Sequence, residues 1–253
     1  MEPADSIDSY RLKWQAFWPE QAILDVFVPM QQKTKCHAWL GLLFELQSCA
    51  FAIEHDAVRE QKALWWAQEL NAINHKAVRH PLSQVLQEFP ADYAALADAF
   101  LSVANQTPIR SSNSQTLLEL LQPMSLAISK IENQLFNGNT NLNIESTQAV
   151  SIQLLLMRLP HGLQEFDQAM IPMHLLARHQ ALHEVHQAPE LLNDWLDELM
   201  SALHETENSN WLRQAQTSFC RLRIQQLRNN GKLKIQLGHL WNSWRAVRSH
   251  KSS

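Results

Sequence analysis

The chain has 253 residues, enough for one large domain or two small ones, and only 5 of them are Gly. Ordinary domains use about 7% Gly, so this scarcity argues against the turn-rich chains of β-sandwiches and of βαβ phosphate-binding folds, and points to an all-α chain. The net charge of −4 gives no global basic field, so nucleic acid is not an expected partner.

Ser6 or Ser9 is placed to cap a first helix containing Trp14, Phe17 and Trp18, and Pro19 starts a second segment ending at Val28-Pro29. From Gln32 to Ile53 runs a helix with apolar residues on most sides, which makes it central in a bundle. Glu45 and Gln47 stand out there, because a carboxylate inside such a helix is costly unless paired or wetted. Asp56 is expected to cap the next helix. Arg59, Lys62, Trp66 and Glu69 share one face of it, and Val58, Gln61, Trp65 and Gln68 share the adjacent one. Three charges beside a large aromatic suit either the wall of a polar pocket or a boundary helix with charged tips in water.

Pro81 pushes His80 out of the helical region. Pro90-Ala91-Asp92 opens a helix through Val103, and a polar loop at 105–114 precedes an apolar helix, Leu117 to Leu135. A second polar loop at 137–143 leads to an apolar helix from Glu145 to Arg158 that should end at Pro160. A short helix from Pro172 to His179 follows. Three more are expected at Pro189–Thr206, Ser209–Asn230 and Lys232–Arg248, the last two joined at Asn229-Asn230-Gly231. No repeat period shows, and neither loop demands a boundary. The expected domain is a single one over 1–253, with N-terminal helices in 1–30, a core in 31–248 and a tail in 249–253.

Phosphate-loop, dinucleotide, nucleophile-elbow and zinc-protease motifs are missing. His179, His183 and His186 would share a helical face, as a metal site or as a solvated polar face. Asp194, Asp197, Glu198, Glu205 and Glu207 form an acidic run near Trp195 that reads as a solvated face, or, through the DxxDE pair, as a water-mediated Mg²⁺ site. Arg221, Arg223, Arg228, Lys232, Lys234, Arg245, Arg248 and Lys251, with Trp241 and Trp244, suit docking on anionic lipid or a partner. The other reading of that region is a plain surface helix with both tryptophans buried. Cys36, Cys49 and Cys220 form no CxxC pair and no disulfide framework. With an acidic N-terminus lacking an apolar signal core and no long apolar run, the expected location is cytoplasmic, with peripheral membrane contact left open.

Four stretches together resemble the squalene/phytoene synthase family, an all-α isoprenoid synthase fold with a central cleft. They are Lys62-x-Leu64-Trp65-Trp66-x-x-Glu69-Leu70 followed by His80-Pro81; Leu155 to Pro160; Ile171-Pro172-Met173 through Leu175-Leu176 to His179; and Leu240-Trp241 to Trp244-Arg245. The resemblance implies, for active members, head-to-head joining of two prenyl diphosphates held by Mg²⁺ on two DxxxD-type motifs. Both motifs look broken here. Glu45 stands at the first carboxylate with Cys49 four residues on, and after Arg158 no acid occurs until Glu165 and Asp167. A thiol and a leucine do not bind Mg²⁺ usefully.

The chain is therefore similar to a degenerate short bacterial member, resembling the branch that includes a mitochondrial complex I assembly factor. The implied role is a non-catalytic scaffold, assembly or lipid-binding protein, with an active Mg²⁺-dependent prenyltransferase as the alternative. Glu45 is the candidate catalytic residue if activity remains. The implied pocket is lined by Glu45, Cys49, Arg59, Lys62, Trp66, Glu69, Ile152, Leu155 and Arg158, with Arg59, Lys62 and Arg158 as anion contacts at its mouth. Its expected ligand is a prenyl or other lipid chain, and a protein partner or membrane surface is the other expected contact. No cofactor is expected, Mg²⁺ belonging only to the active alternative.

Overall fold

The long apolar helix is the axis of the molecule. In the computed structural model, which describes residues 3–106, 111–136, 144–162, 170–180, 189–206, 209–230 and 235–249, it runs Met30–Ala52 as α3. Ala38, Trp39, Leu42, Leu46 and Cys49 are fully enclosed because other helices pack on nearly every side of α3. Before it come α1 (Pro3–Phe17) and α2 (Gln21–Phe27). After it come α4 (Asp56–Ile73), α5 (Pro81–Leu86), α6 (Tyr93–Ala104), α7 (Ser114–Phe136) and α8 (Ile144–Gly162). A short α9 (Met173–Arg178), then α10 (Pro189–Ala202), α11 (Trp211–Asn230) and α12 (Leu237–Ser249) complete the chain. Among the described residues there is no strand, and the helices form a single-domain all-α bundle.

Neighbours follow a simple circuit. α1, α5, α4 and α6 pack on α3; α6 leads to α7, α7 to α8, and α8 to α11; α12 covers α11 and α2. Gly41 is what lets α5 close on α3, since a Cβ there would sit 3.1 Å from a methyl of Leu82.

Several local expectations hold and others shift. Asp92 caps α6, its carboxylate accepting the Ala95 N–H at 3.2 Å. His80 holds an extended backbone before Pro81 and caps α5 with Nδ1, which accepts the Leu82 N–H at 3.3 Å. Ser6 and Ser9 lie inside α1 rather than at its start. Asp56 is the first helical residue of α4, not its cap; His55 takes that place, and Asp56 pairs with Arg59 one turn on. α7 continues through Pro123, whose missing N–H falls on the exposed side of the helix. α8 likewise passes Pro160, which lies in its last turn. The junction expected at Asn229-Asn230-Gly231 falls partly outside the described residues. No described helix is long and apolar enough to cross a membrane.

Candidate functional site

Glu45 is buried on α3, and its charge is met from α1: Lys13 Nζ lies 2.5 Å from Oε1, its ammonium also 5.4 Å from the centre of the Phe44 ring. One turn on, the Cys49 thiol lies 3.9 Å from the Arg59 carbonyl oxygen. Burial pushes this thiol up to about 11, helped by Glu45 and opposed by Lys62 and Arg59, so it stays protonated and unreactive near neutrality.

α4 supplies the other wall. Arg59 is expected at a pocket mouth as an anion contact, but its guanidinium is committed to the chain. Nε donates to the Ala104 carbonyl at 3.0 Å, Nη1 to the Ile53 carbonyl at 3.0 Å, and Nη2 to Asp56. It ties the start of α4 to the end of α6. Lys62 is exposed. Trp66, only 1% exposed, carries an indole N–H with no hydrogen-bond partner among the described residues. Its ring lies 4.8 Å from that of half-buried His80, and Tyr10 and Trp65 close on the same imidazole at 4.9 and 6.0 Å. Glu69 is buried, and one of its oxygens accepts the backbone N–H groups of Arg79 and His80 at 2.9 and 2.7 Å. It fixes the turn into α5 rather than facing a ligand.

Burial lowers the His80 imidazole from its ordinary 6.5 against the pull of Glu45 and Glu69, with Lys13 adding to the lowering. His239 is lowered in the same sense, again first by burial, with its Nδ1 accepting the Gln236 N–H at 2.9 Å. A base depressed by folding binds fewer protons in the native state than in the unfolded chain. Its stability contribution is therefore complete above about 6.5 and is lost as pH falls through that value. The urea midpoint should fall between about pH 7.5 and 5.5. It should fall less in His80→Asn/His239→Asn, in which an amide oxygen keeps both caps; equal slopes in the two proteins would contradict this assignment.

The implied pocket residues are spread over α3, α4 and α8. Glu45, Cys49, Arg59, Lys62, Trp66 and Glu69 gather where α3, α4 and α5 meet. Ile152 and Leu155 are buried on α8, which touches α3 through Gln47, whose amide donates to the Leu154 carbonyl at 2.7 Å. Two residues turn a helix by about 200°, so Gln47 points nearly opposite to Glu45 and α3 stands between that cluster and α8. The Arg158 side chain, Glu165 and Asp167 lie outside the described residues. Mg²⁺, which the resemblance implies for active members, does not fit the Glu45 cluster: Glu45 is already paired with Lys13, Glu69 holds the Arg79 and His80 N–H groups, and a protonated thiol occupies the turn after Glu45.

The interior holds a polar assembly that the sequence does not advertise. Arg213 of α11 grips Glu132 of α7 with both arms, Nε to Oε2 at 2.9 Å and Nη2 to Oε1 at 2.6 Å. Arg213 Nη1 donates to Gln153 of α8 at 2.5 Å, and the Trp39 indole of α3 donates to Glu132 at 3.3 Å. Gln153 continues to Gln216 at 3.3 Å, and Gln216 exchanges two amide bonds with Gln21 of α2, at 2.7 and 2.8 Å. A second buried cation, Arg223, lies 3.4 Å from Glu20, stacks on Trp18 at 4.1 Å, and donates to the Leu156 and Phe17 carbonyls at 3.2 and 2.8 Å. Spacing offered one clue: Arg213, Gln216, Cys220 and Arg223 fall on one face of α11. Arg223, counted with the basic surface from sequence, belongs to the core.

The acidic run on α10 separates into individual pairs. Asp194 accepts from His179 at 2.9 Å and Arg178 at 3.0 Å, Asp197 pairs with Arg228 at 2.9 Å, and Glu198 meets His174 at 2.8 Å and Ser114. Hydrogen bonds from His179 first, and then Arg178, hold the Asp194 carboxyl below its ordinary value. The run is a partly solvated face whose carboxylates are paired, joining α10 to α9, α11 and the start of α7. His183 and His186 lie outside the described residues, and no metal-ligating group of three or more His, Cys, Asp or Glu occurs among the described ones. No protein-family model matches the chain, and no curated protein is significantly similar to it.

Proposed function

We propose that this chain is a squalene/phytoene synthase-like helical protein with eroded diphosphate–Mg²⁺ motifs, acting as a non-catalytic scaffold or lipid-binding protein. Support comes first from the four motif stretches in their family order. The observation that carries the non-catalytic part is the state of the buried acids. Glu20, Glu45, Glu69 and Glu132 are the buried carboxylates among the described residues, and each already faces a group of its own chain: Arg223, Lys13, two backbone N–H groups, and Arg213. Binding a magnesium diphosphate at Glu45 would mean displacing Lys13 from a 2.5 Å pair without a second acid one turn away.

A ligand that binds only the folded state raises its melting temperature by mass action. Melts with and without Mg²⁺ plus inorganic pyrophosphate should therefore coincide, and a rise that disappears in Glu45→Gln would overturn the reading. Native mass spectrometry and cross-linking separate the two branches of the proposal: a retained lipid mass supports lipid binding, a captured partner supports the scaffold role, and a bare chain with no partner counts against both.

A further inference from the structure

The last 43 residues carry nine of the 21 Lys and Arg of the chain and none of its 25 Asp and Glu. Much of this positive charge is used internally, by Arg213 and Arg223 in the core and by Arg221 and Arg228 on Glu205 and Asp197. α12 is different. His239, Ser243, Ala246 and Val247 are buried on its inner face, against α11 and α2. Leu237, Leu240, Trp241, Trp244, Arg245 and Arg248 follow i, i+3, i+4, i+7, i+8, i+11 and make the outer face. There Leu237 is 82% exposed and Trp241 60%, with Ile235 exposed just before the helix. Of the two sequence readings of this region, the one with both tryptophans buried fails for Trp241, which stands outside because the inner stripe is already filled by other residues. Its ring lies 5.0 Å from that of Trp244, and the Arg248 guanidinium lies 4.9 Å from the Trp244 ring, so aromatics and cations form one continuous strip.

We infer that the outer face of α12 seats the protein on an anionic phospholipid surface, a property that stands apart from the proposed function. Leucines and tryptophan with arginines at the flank are the composition of a helix lying in the interfacial plane, apolar side chains among the upper acyl carbons and guanidinium groups on phosphates. The charge pattern sets the orientation, because the rest of the chain is acidic and is repelled by the same surface. Size argues against a second copy. A face of 13 residues is about 20 Å long and 10 Å wide, near 200 Å², against roughly 800 Å² per partner in a stable interface.

Flotation of the full chain with phosphatidylcholine vesicles, with and without phosphatidylglycerol, tests this. The chain should float with the anionic vesicles and not with the neutral ones, and less at high salt. Arg245→Gln/Arg248→Gln should weaken partitioning by about thirtyfold, and Trp241→Ser by about tenfold. Arg245, Arg248 and Trp241 are exposed, so melting temperatures should be unchanged, which separates lost binding from lost folding. Absence of flotation with anionic vesicles, or variants that float as well as the parent, would overturn the inference. So would vesicle-free self-association abolished by the same substitutions, which would assign the face to a second copy.

Discussion

Arg213→Met should be among the most damaging single substitutions in the chain, costing about 3–5 kcal/mol, because it leaves Glu132 charged, unpaired and fully enclosed. The loss extends beyond one ion pair. Arg213 joins α11 to α7 and to α8, so its removal also leaves the Gln153 oxygen without that donor. At roughly 2–4 °C per kcal/mol for a chain of this size, the melting temperature should drop by about 10 °C. Arg213→Met/Glu132→Leu removes both charges and should recover most of that loss, since replacing a buried pair with apolar groups is often close to neutral. Thermal or urea unfolding of the two variants checks this. A single variant as stable as the parent would mean that the Glu132 carboxylate is solvated and not held as described.

Arg223→Met is the second large effect, expected at about 3 kcal/mol. Here the readout is regional. Arg223 holds the Phe17 carbonyl at the end of α1 and the Leu156 carbonyl within α8, while facing Glu20 and the Trp18 ring at the start of the next segment. Hydrogen exchange should therefore speed up over α1 and α2 more than over α4 and α6, which supply none of the partners named above. Uniform acceleration across the bundle would show that Arg223 contributes only to global stability.

The helices themselves are legible in the sequence because long apolar runs broken by proline and by polar loops leave little choice of period. The α3 run from Met30 to Ala52 reads as central because nothing polar interrupts Trp39 to Phe44, and it is central. The face of α4 bearing Arg59, Lys62, Trp66 and Glu69 is also correctly grouped; all but Lys62 are buried. Their roles are not legible, since nothing local says that Arg59 will find the Ala104 carbonyl or Glu69 the turn at Arg79 and His80. The same limit hides the core network. Glu132 and Arg213 are 81 residues apart, and α11 is so rich in Gln and Arg that its buried stripe reads as surface. α12 shows the converse: composition left a helix with both tryptophans buried as one reading, whereas the space beneath is filled by residues such as His239 and Ser243 and Trp241 stands outside.

The buried charged groups named above are held by their own chain, although the Trp66 indole N–H and Glu20 Oε1 have no hydrogen-bond partner among the described residues. Arg213 and Arg223 are locked to acids and carbonyls, Cys49 is a protonated thiol, and Glu45 sits against Lys13. Under the proposed reading, these pairings stand in the way of a leaving diphosphate, whose charge demands clustered metal ions.

The most direct test is pyrophosphate release from farnesyl or geranylgeranyl diphosphate in the presence of Mg²⁺. The account predicts none above the protein-free blank. Steady turnover that is abolished in Glu45→Gln while the fold stays intact would contradict it and restore Glu45 as a working carboxylate.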